Sequence, residues 1–170
     1  MAGRRRDPEA HRAALTAAEE LLTEVGYHRV TMERIAERSG VAKMTLYRWW
    51  PNKAAVVTDA VRDRLAPVDV TGDAVTVLGL LVGALTRYGD AGVVAAAMSS
   101  RGEAGRADLR DILHPWEEAL RAVTDPVTAR AWLGYVVYRV VFLLEEITEQ
   151  ELQTLVDRTS AAHRSDPNHK

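Results

Sequence analysis

TMERIAERSGVAKMTLYRWWPNK, residues 31–53, is the stretch that decides the fold, because it predicts two short helices joined by a glycine turn. Thr31 is a favoured N-cap for the first of them. Gly40 stands where that helix must end, since glycine adopts the left-handed conformation at little cost. Leu46 and Trp50 lie four residues apart and give the second helix an inward face. This order of elements is typical of a helix-turn-helix motif.

The outward side chains of the second helix have the chemistry of a nucleic-acid contact. A helix in this position fits a major groove about 12 Å wide. Lys43, Arg48 and Lys53 are able to neutralise phosphates, while Thr45 and Tyr47 are able to donate hydrogen bonds to phosphate oxygens. Arg48 is also able to read guanine through two hydrogen bonds. The alternative is that these cations are ordinary solvent-exposed charges that keep a helical hairpin soluble and do not contact nucleic acid.

A resemblance to a known family is carried by Thr31, Ile35, Ala36, Gly40, Val41, Thr45, Leu46, Tyr47, Trp50, Pro51 and Lys53. At these positions, and over the stretch from about residue 12 to 61, the chain resembles the N-terminal signature of the TetR family of transcriptional regulators. The resemblance and the helical patterns predict an all-α fold. A three-helix DNA-binding domain would be followed by a helical regulatory and dimerisation domain, with about nine helices in total.

The predicted DNA contacts within the motif are Thr31, Lys43, Met44, Thr45, Tyr47, Arg48, Trp49 and Lys53. The resemblance implies that Tyr47 and Lys53 contact phosphates, whereas base readout varies between members with different operators. Ala42 replaces the usual serine before the second helix, and Met44 replaces a small or polar residue. Trp49 either stacks against the sugar-phosphate backbone or packs under the first helix.

Charge is distributed unevenly along the 170 residues. The formal net charge is −2 at pH 7, yet residues 1–53 hold ten Lys or Arg against seven Asp or Glu, a balance of +3. Residues 54–170 hold twelve against seventeen, a balance of −5. A basic arm within residues 1–7 contains Arg4, Arg5 and Arg6. One interpretation is that the arm contacts DNA, either along the backbone or in the minor groove. The other is that it is a flexible solubilising tail.

Composition excludes several classes of protein. A hydrophobic content of 47% is enough for a substantial core. The absence of cysteine excludes disulfides, thiol nucleophiles and cysteine zinc sites. Because no HExxH, P-loop or GxSxG motif is present, we expect no catalytic residues, no metal site and no cofactor. No segment reaches the roughly 20 apolar residues of a membrane span, so we expect a cytoplasmic protein without a membrane partner.

Helical periodicity and breakers divide the chain into four parts. Asp7 and Pro8 open a first helix that ends at Gly26. The predicted helix-turn-helix domain covers residues 1–53, and a linking helix covers residues 54–67, ending at Pro67. Residues 68–163 form the predicted ligand-binding and dimerisation domain, and residues 164–170 a disordered tail.

The run AWLGYVVYRVVFLL, residues 131–144, is apolar on all sides of a helix and contains one charge, Arg139. Such a helix is buried between its own domain and something else. Thr148 and Glu151 form a capping box for the next helix. The resemblance implies that these two helices pair with a second copy, whereas the alternative is that they complete a monomer core. The predicted dimer residues are Leu133, Val136, Val137, Val140, Val141, Leu144, Leu152, Leu155 and Val156.

A set of aromatic and apolar residues, Tyr88, Met98, Trp116, Trp132, Tyr135 and Tyr138, is able to line a small-molecule cavity or to form an ordinary core. The resemblance favours a cavity for a small apolar or aromatic effector. It also implies a homodimeric repressor that binds a pseudo-palindromic operator in double-stranded DNA and is released by that effector.

Two other classes of protein stay open at this point. One is a helical adaptor that binds protein, and the other is a small helical enzyme using Glu117, Glu118 or His114. Both predict no affinity for duplex DNA.

Overall fold

The computed structural model describes residues 7–65, 69–87 and 91–164, and all regular secondary structure in these ranges is helical. The helices are α1 (Pro8–Val25), α2 (Met32–Ser39), α3 (Lys43–Trp49), α4 (Lys53–Leu65), α5 (Ala74–Thr86), α6 (Ala91–Ser99), α7 (Glu103–Arg121), α8 (Pro126–Val137) and α9 (Glu149–Arg164). A 3-10 turn at Tyr27–Arg29 follows α1, and a π-helical turn at Tyr138–Phe142 follows α8. The all-α prediction is confirmed for this part of the chain. The basic arm, Tyr88, Pro67 and most of the predicted tail lie outside the described residues.

The described residues form two compact units. The first contains α1 to α4, α6 and residues 103–112 of α7. The second contains α5, residues 113–121 of α7, α8 and α9. This grouping differs from the predicted boundary at residue 53, because α4 buries Val56, Val57 and Ala60 in the same core as α1.

The first unit is organised around α1. Its start is fixed by Asp7, whose carboxylate accepts a hydrogen bond from the Glu9 amide at 3.1 Å. Pro8 occupies the first helical turn, and Gly26 ends the helix with φ of 72°. The buried face of α1 comprises Ala14, Leu15, Ala17, Ala18, Leu21 and Leu22. This face packs against α2 and α4, so the predicted brace for the helix-turn-helix is present.

The first turn of α7 requires glycine at position 105 for a steric reason. A β-carbon added to Gly105 would lie 1.7 Å from the carbonyl oxygen of Met98, which is far inside any van der Waals contact. Met98 is itself 2% exposed and belongs to the core of the first unit. The close approach of the two backbones therefore depends on the missing side chain at position 105.

The second unit packs α5 against α8 and α9. The predicted capping box at the start of α9 is confirmed. The Glu151 carboxylate accepts from the Thr148 amide at 2.9 Å, and the Thr148 hydroxyl accepts from the Glu151 amide at 3.3 Å. The Thr148 amide and hydroxyl both donate to the Glu151 carboxylate, and these two hydrogen bonds lower the pKa of Glu151 because they favour its ionised form.

The apolar run at residues 131–144 does not form one α-helix. It widens to a π-helical turn after Val137, and Leu144 takes a left-handed conformation with φ of 55°. Arg139 stabilises this segment through two contacts. Its guanidinium donates a hydrogen bond to the Tyr135 hydroxyl at 2.6 Å and forms an ion pair with the Glu151 carboxylate at 3.4 Å. The chain therefore changes direction around the one charged residue of the run.

Burial corrects part of the predicted dimer surface. Val136, Val140, Val141 and Leu152 are at most 7% exposed within the chain itself, so they complete the core of the second unit. Leu133, Val137, Leu155 and Val156 are half-buried, and Leu144 is exposed. The exposed apolar side chains at the π-helical turn, called the apolar patch below, are Tyr138, Phe142, Leu143 and Leu144.

Replacing Gly105 by alanine should destabilise the protein by about 1–3 kcal/mol, because the new methyl group forces α6 and α7 apart. Gly134 is the matched control, since a β-carbon there meets no atom within 4 Å and the residue is exposed in α8. Gly134→Ala should be neutral or should stabilise by up to about 1 kcal/mol. Urea denaturation followed by circular dichroism measures both, and equal shifts of the two midpoints would contradict the steric argument.

Candidate nucleic-acid interface

The turn between α2 and α3 is built from local hydrogen bonds. The Thr31 hydroxyl accepts from the Arg34 amide at 3.2 Å and caps α2, as predicted. The Ser39 hydroxyl donates to the Ile35 carbonyl at 2.6 Å and accepts from the Val41 amide at 3.3 Å. Gly40 is left-handed with φ of 69°. The chain therefore leaves α2 through a glycine that alanine could replace only with backbone strain.

Two buried side chains fix the orientation of α3. Leu46 is 0% exposed, and Trp50, the residue after the helix, is 2% exposed. Ala42 provides no side-chain cap, and its carbonyl accepts from the Thr45 amide at 2.8 Å. The short helix is therefore held by its packed face more than by its first turn.

The exposed side chains of α3 include four of the predicted DNA-contacting residues, Lys43, Met44, Tyr47 and Arg48. Met44 is 81% exposed and Tyr47 is 43% exposed, and Lys43 and Arg48 are also exposed. Thr45 is half-buried. The structure thus brings donors, charges and one apolar side chain together on one exposed surface.

Glu33 of α2 belongs to this surface, although the sequence reasoning missed it. Its carboxylate forms an ion pair with Lys43, whose ammonium also lies 5.8 Å from the centroid of the Tyr47 ring. The hydrogen bond between the two side chains lowers the pKa of Glu33 and raises the pKa of Lys43. Both groups therefore stay charged over a wide range of pH. A separation of ten positions matches no local spacing rule, so no sequence pattern indicates this pair.

Trp49 follows the second of its two predicted alternatives. It is half-buried against the core of the first unit, and its ring centroid lies 5.5 Å from that of His11 on α1. The ring of Trp50 meets it edge to face at 5.6 Å. Trp49 thus packs under the first helix.

Lys53 has partners within the chain. Its ammonium donates to the carbonyl oxygens of Tyr27 at 3.0 Å and His28 at 3.4 Å, and it lies 4.3 Å from the centroid of the Tyr27 ring. These contacts join the start of α4 to the turn after α1. The predicted phosphate contact by Lys53 would therefore be made by a lysine whose position is already constrained.

A polar network connects the end of α3 to α7 within the first unit. The Trp50 indole donates to Asp59 at 2.7 Å, and Asp59 forms an ion pair with Arg62. Arg62 donates to Asp108 of α7 at 3.0 Å, and Arg101 donates to the other oxygen of Asp108 at 2.7 Å. Asp108 is 9% exposed, and each of its carboxylate oxygens is paired with one of these two guanidinium groups. We call this chain of contacts the Asp108 network.

The residues predicted to line a ligand cavity are divided between the two units, and Tyr88 lies outside the described residues. Met98 lies in the core of the first unit, whereas Trp116 and Trp132 are buried in the second. Tyr135 is half-buried, and Tyr138 is 55% exposed. The shared cavity therefore stays a prediction.

Grooves and one unsatisfied donor are the features of the second unit that bear on ligand binding. A groove of about 320 Å³ lies between α5 and the start of α9, and one of about 410 Å³ is lined by Tyr135 and α9. The Trp132 indole donates to Thr159 at 2.9 Å. The Trp116 indole nitrogen is buried without a hydrogen-bond acceptor among the described residues.

The side chains named for a possible enzyme contact other side chains of the second unit. Glu117 accepts from Arg130 at 2.9 Å, and His114 lies 3.7 Å from Glu118, with both side chains more than half exposed. Within the described ranges, no group of three or more histidine or acidic residues is arranged to hold a metal ion.

No single helix in the described part of the chain is both long and apolar enough to cross a membrane. The consecutive helices α5 and α6 meet that test of length and composition only when taken together, across a bend.

Sequence comparisons match less than half of the chain. The family model "Bacterial regulatory proteins, tetR family" matches residues 14–60. The uncharacterized HTH-type transcriptional regulator YdeS of Bacillus subtilis (strain 168) is 51% identical over 77 residues, which are 43% of this chain and 38% of YdeS. The uncharacterized HTH-type transcriptional regulator Rv2250c of Mycobacterium tuberculosis is 38% identical over 63 residues, which are 35% of this chain and 33% of that protein. The matches thus span well under half of each relative.

Structural comparisons extend the similarity to most of the chain. The crystal structure of the TetR family transcription regulator SCO0332 superposes with a TM-score of 0.67 and 27% identity, covering 89% of this chain and 96% of that one. A TetR transcriptional regulator from Rhodococcus sp. RHA1 superposes with a TM-score of 0.61 and 20% identity, covering 94% and 99%, and shares the fold. Taken with the helix-turn-helix geometry, these similarities identify residues 14–60 as a helix-turn-helix domain of the TetR type, in a chain whose fold is similar to that of TetR family regulators.

Proposed function

We propose that this chain is a DNA-binding transcriptional regulator, and that α3 is its recognition helix. One observation carries the proposal. Leu46 and Trp50 fix α3 on the core, while Lys43, Tyr47 and Arg48 extend from its opposite face. A helix held in this way presents its charges and donors to a major groove without further rearrangement.

The regulator would act as a homodimer on a pseudo-palindromic operator. Two recognition helices about 34–36 Å apart would enter successive major grooves, so the symmetry of the protein would be mirrored in the DNA. Repression, rather than activation, is what the resemblance to the family implies.

A gel-shift experiment with the DNA upstream of the chain's own gene tests the proposal. Binding should be tight at low salt and should weaken steeply as salt increases, because phosphate contacts release counterions. A purified chain that ignores duplex DNA even at low ionic strength would overturn the proposal and leave the protein-binding adaptor in its place.

Arg48→Ala should weaken binding to all duplex sequences, because it removes a cation that faces the phosphates. The slope of log K against log salt should fall by about 0.9 for each phosphate that is no longer neutralised. Arg121→Ala is the control, because Arg121 is an exposed arginine at the end of α7 in the second unit. Fluorescence anisotropy at several salt concentrations measures both slopes. If the two variants behaved alike, α3 would not be the contacting helix.

The second unit is proposed to supply the dimer contact. The apolar patch supports this assignment, because Phe142 is 72% exposed and Leu144 is 71% exposed, which are high fractions for large apolar side chains. The rings of Tyr138 and Phe142 lie 6.4 Å apart, so they form one continuous surface. A second copy of the same patch would remove these side chains from water.

Phe142→Asp should therefore convert a dimer into a monomer, since an aspartate would be desolvated in the contact. Val127 is 77% exposed near the start of α8 and lies outside the patch, so Val127→Asp should leave the dimer intact. Sedimentation velocity distinguishes the two species. Dissociation by both variants, or by neither, would remove the patch from the dimer contact.

A small apolar or aromatic effector is proposed to bind the second unit. The buried Trp116 indole supports an additional feature of that effector, because a donor without an acceptor costs about 1–3 kcal/mol. An effector with a carbonyl or ether oxygen would accept from it. Binding would then loosen the operator complex, through a coupling of about 1–3 kcal/mol.

The Asp108 network is proposed to carry that coupling to the recognition helix. It begins on α7, and it ends at Trp50, directly after α3. Because α7 continues from residues of the first unit into residues of the second, a shift of this helix would reach Asp108. The network would then alter the end of α3 without touching DNA.

Asp108→Asn should lower operator affinity several-fold while leaving the salt slope unchanged, because the number of neutralised phosphates stays the same. Asp111, exposed one turn further along α7, is the control, and Asp111→Asn should change neither quantity. Combining Asp108→Asn with Trp50→Phe should cost less than the sum of the single effects. Additive effects would show that the two residues act separately.

A further inference from the structure

We infer that Glu33 and Lys43 act as one unit that reads a G·C base pair, which makes Glu33 a determinant of operator specificity. The inference rests on the proposed function of α3 as the recognition helix. It adds a residue of α2 to the DNA-reading surface, and it assigns that residue a base-pair preference.

The position of the pair is the first argument. Lys43 is the first residue of α3, and the N-terminal residues of a recognition helix are those that contact base edges. Glu33 reaches this point from the first turn of α2. The two side chains are 48% and 59% exposed, so the ion pair lies on the surface and is accessible to a ligand.

The donors and acceptors of the pair give the second argument. An ammonium has three donors, and with one directed at Glu33 two are left for Lys43. Guanine presents the acceptors O6 and N7 side by side, and the cytosine N4 amino group next to them is a donor that a carboxylate accepts. An A·T pair places the adenine N6 donor between its two acceptors and adds a methyl group. The Lys43 ammonium donors beside the Glu33 carboxylate acceptor therefore match the edge of a G·C pair, where two acceptors are followed by a donor. They match the alternating acceptors and donor of an A·T pair less well.

The charge of Glu33 gives the third argument. Binding to arbitrary DNA depends almost entirely on phosphates, which repel a carboxylate. Because Lys43 is neutralised by Glu33, it adds no net charge to such a complex. Glu33 thus weakens binding to arbitrary sequences, whereas a correctly placed G·C pair uses both side chains.

Selection from a randomised duplex library, followed by anisotropy, tests the inference. The wild type should select G·C at one symmetric pair of positions and should lose about tenfold in affinity when these become A·T. Glu33→Gln should reduce that preference to less than about twofold. It should also bind a duplex of alternating dA and dT several-fold more tightly, with a salt slope steeper by about 0.9 per protomer.

Glu37→Gln is the matched control, because Glu37 is an exposed acid on the same helix. It should keep the wild-type preference and slope. Lys43→Gln is a second variant, and it should lose the G·C preference without gaining affinity for the alternating duplex. These three results together support the inference.

Three outcomes would overturn it. The selected sequences could lack a symmetric G·C pair, or Glu33→Gln could change both duplexes by the same factor. Equal behaviour of the Glu33→Gln and Glu37→Gln variants would also show that only net charge matters. A wild type that binds no duplex would instead refute the proposed function, and the inference would fall with it.

Discussion

The burial of Leu46 and Trp50 is the constraint on which the exposed surface of α3 depends. A helix of seven residues is too short to be stable alone, so its direction is set by what it packs against. Trp50 adds a hydrogen bond to Asp59 of α4, which turns an apolar contact into a directional one. With both residues in place, the charged side chains on the opposite face are displayed as a fixed pattern.

The exposed surface of α3 combines cations, which attract phosphates, with the nearby carboxylate of Glu33, which repels them. Arg48 is exposed on α3, while Lys43 is held by an acid from the neighbouring helix and lies close to the Tyr47 ring. A surface made only of cations would bind any duplex, because phosphate attraction carries no sequence information. Under the proposed function, the carboxylate of Glu33 among these donors would therefore weaken binding to arbitrary sequences.

The features that could be predicted from the sequence are those whose interactions join residues close together along the chain. The Asp7 cap, the Gly40 turn and the Thr148–Glu151 capping box depend on residues within three or four positions, and all three are confirmed. The Asp108 contact with Arg62 spans 46 positions, and the Lys53 contact with Tyr27 spans 26. A periodic pattern in the sequence gives no information about contacts between residues so far apart along the chain. Hydrophobic composition likewise predicted that residues 131–144 would be buried, but it could not distinguish the chain's own core from a contact with a second copy.

The first unit is discontinuous along the chain, since α5 intervenes between α4 and α6. Val94 and Met98 of α6 complete the core that α1 and α4 begin. During translation, the chain therefore has to be synthesised through α6, well beyond the helix-turn-helix, before the core of the first unit is complete. During synthesis, α3 would therefore lack part of its packing support until α6 had emerged and packed against α4.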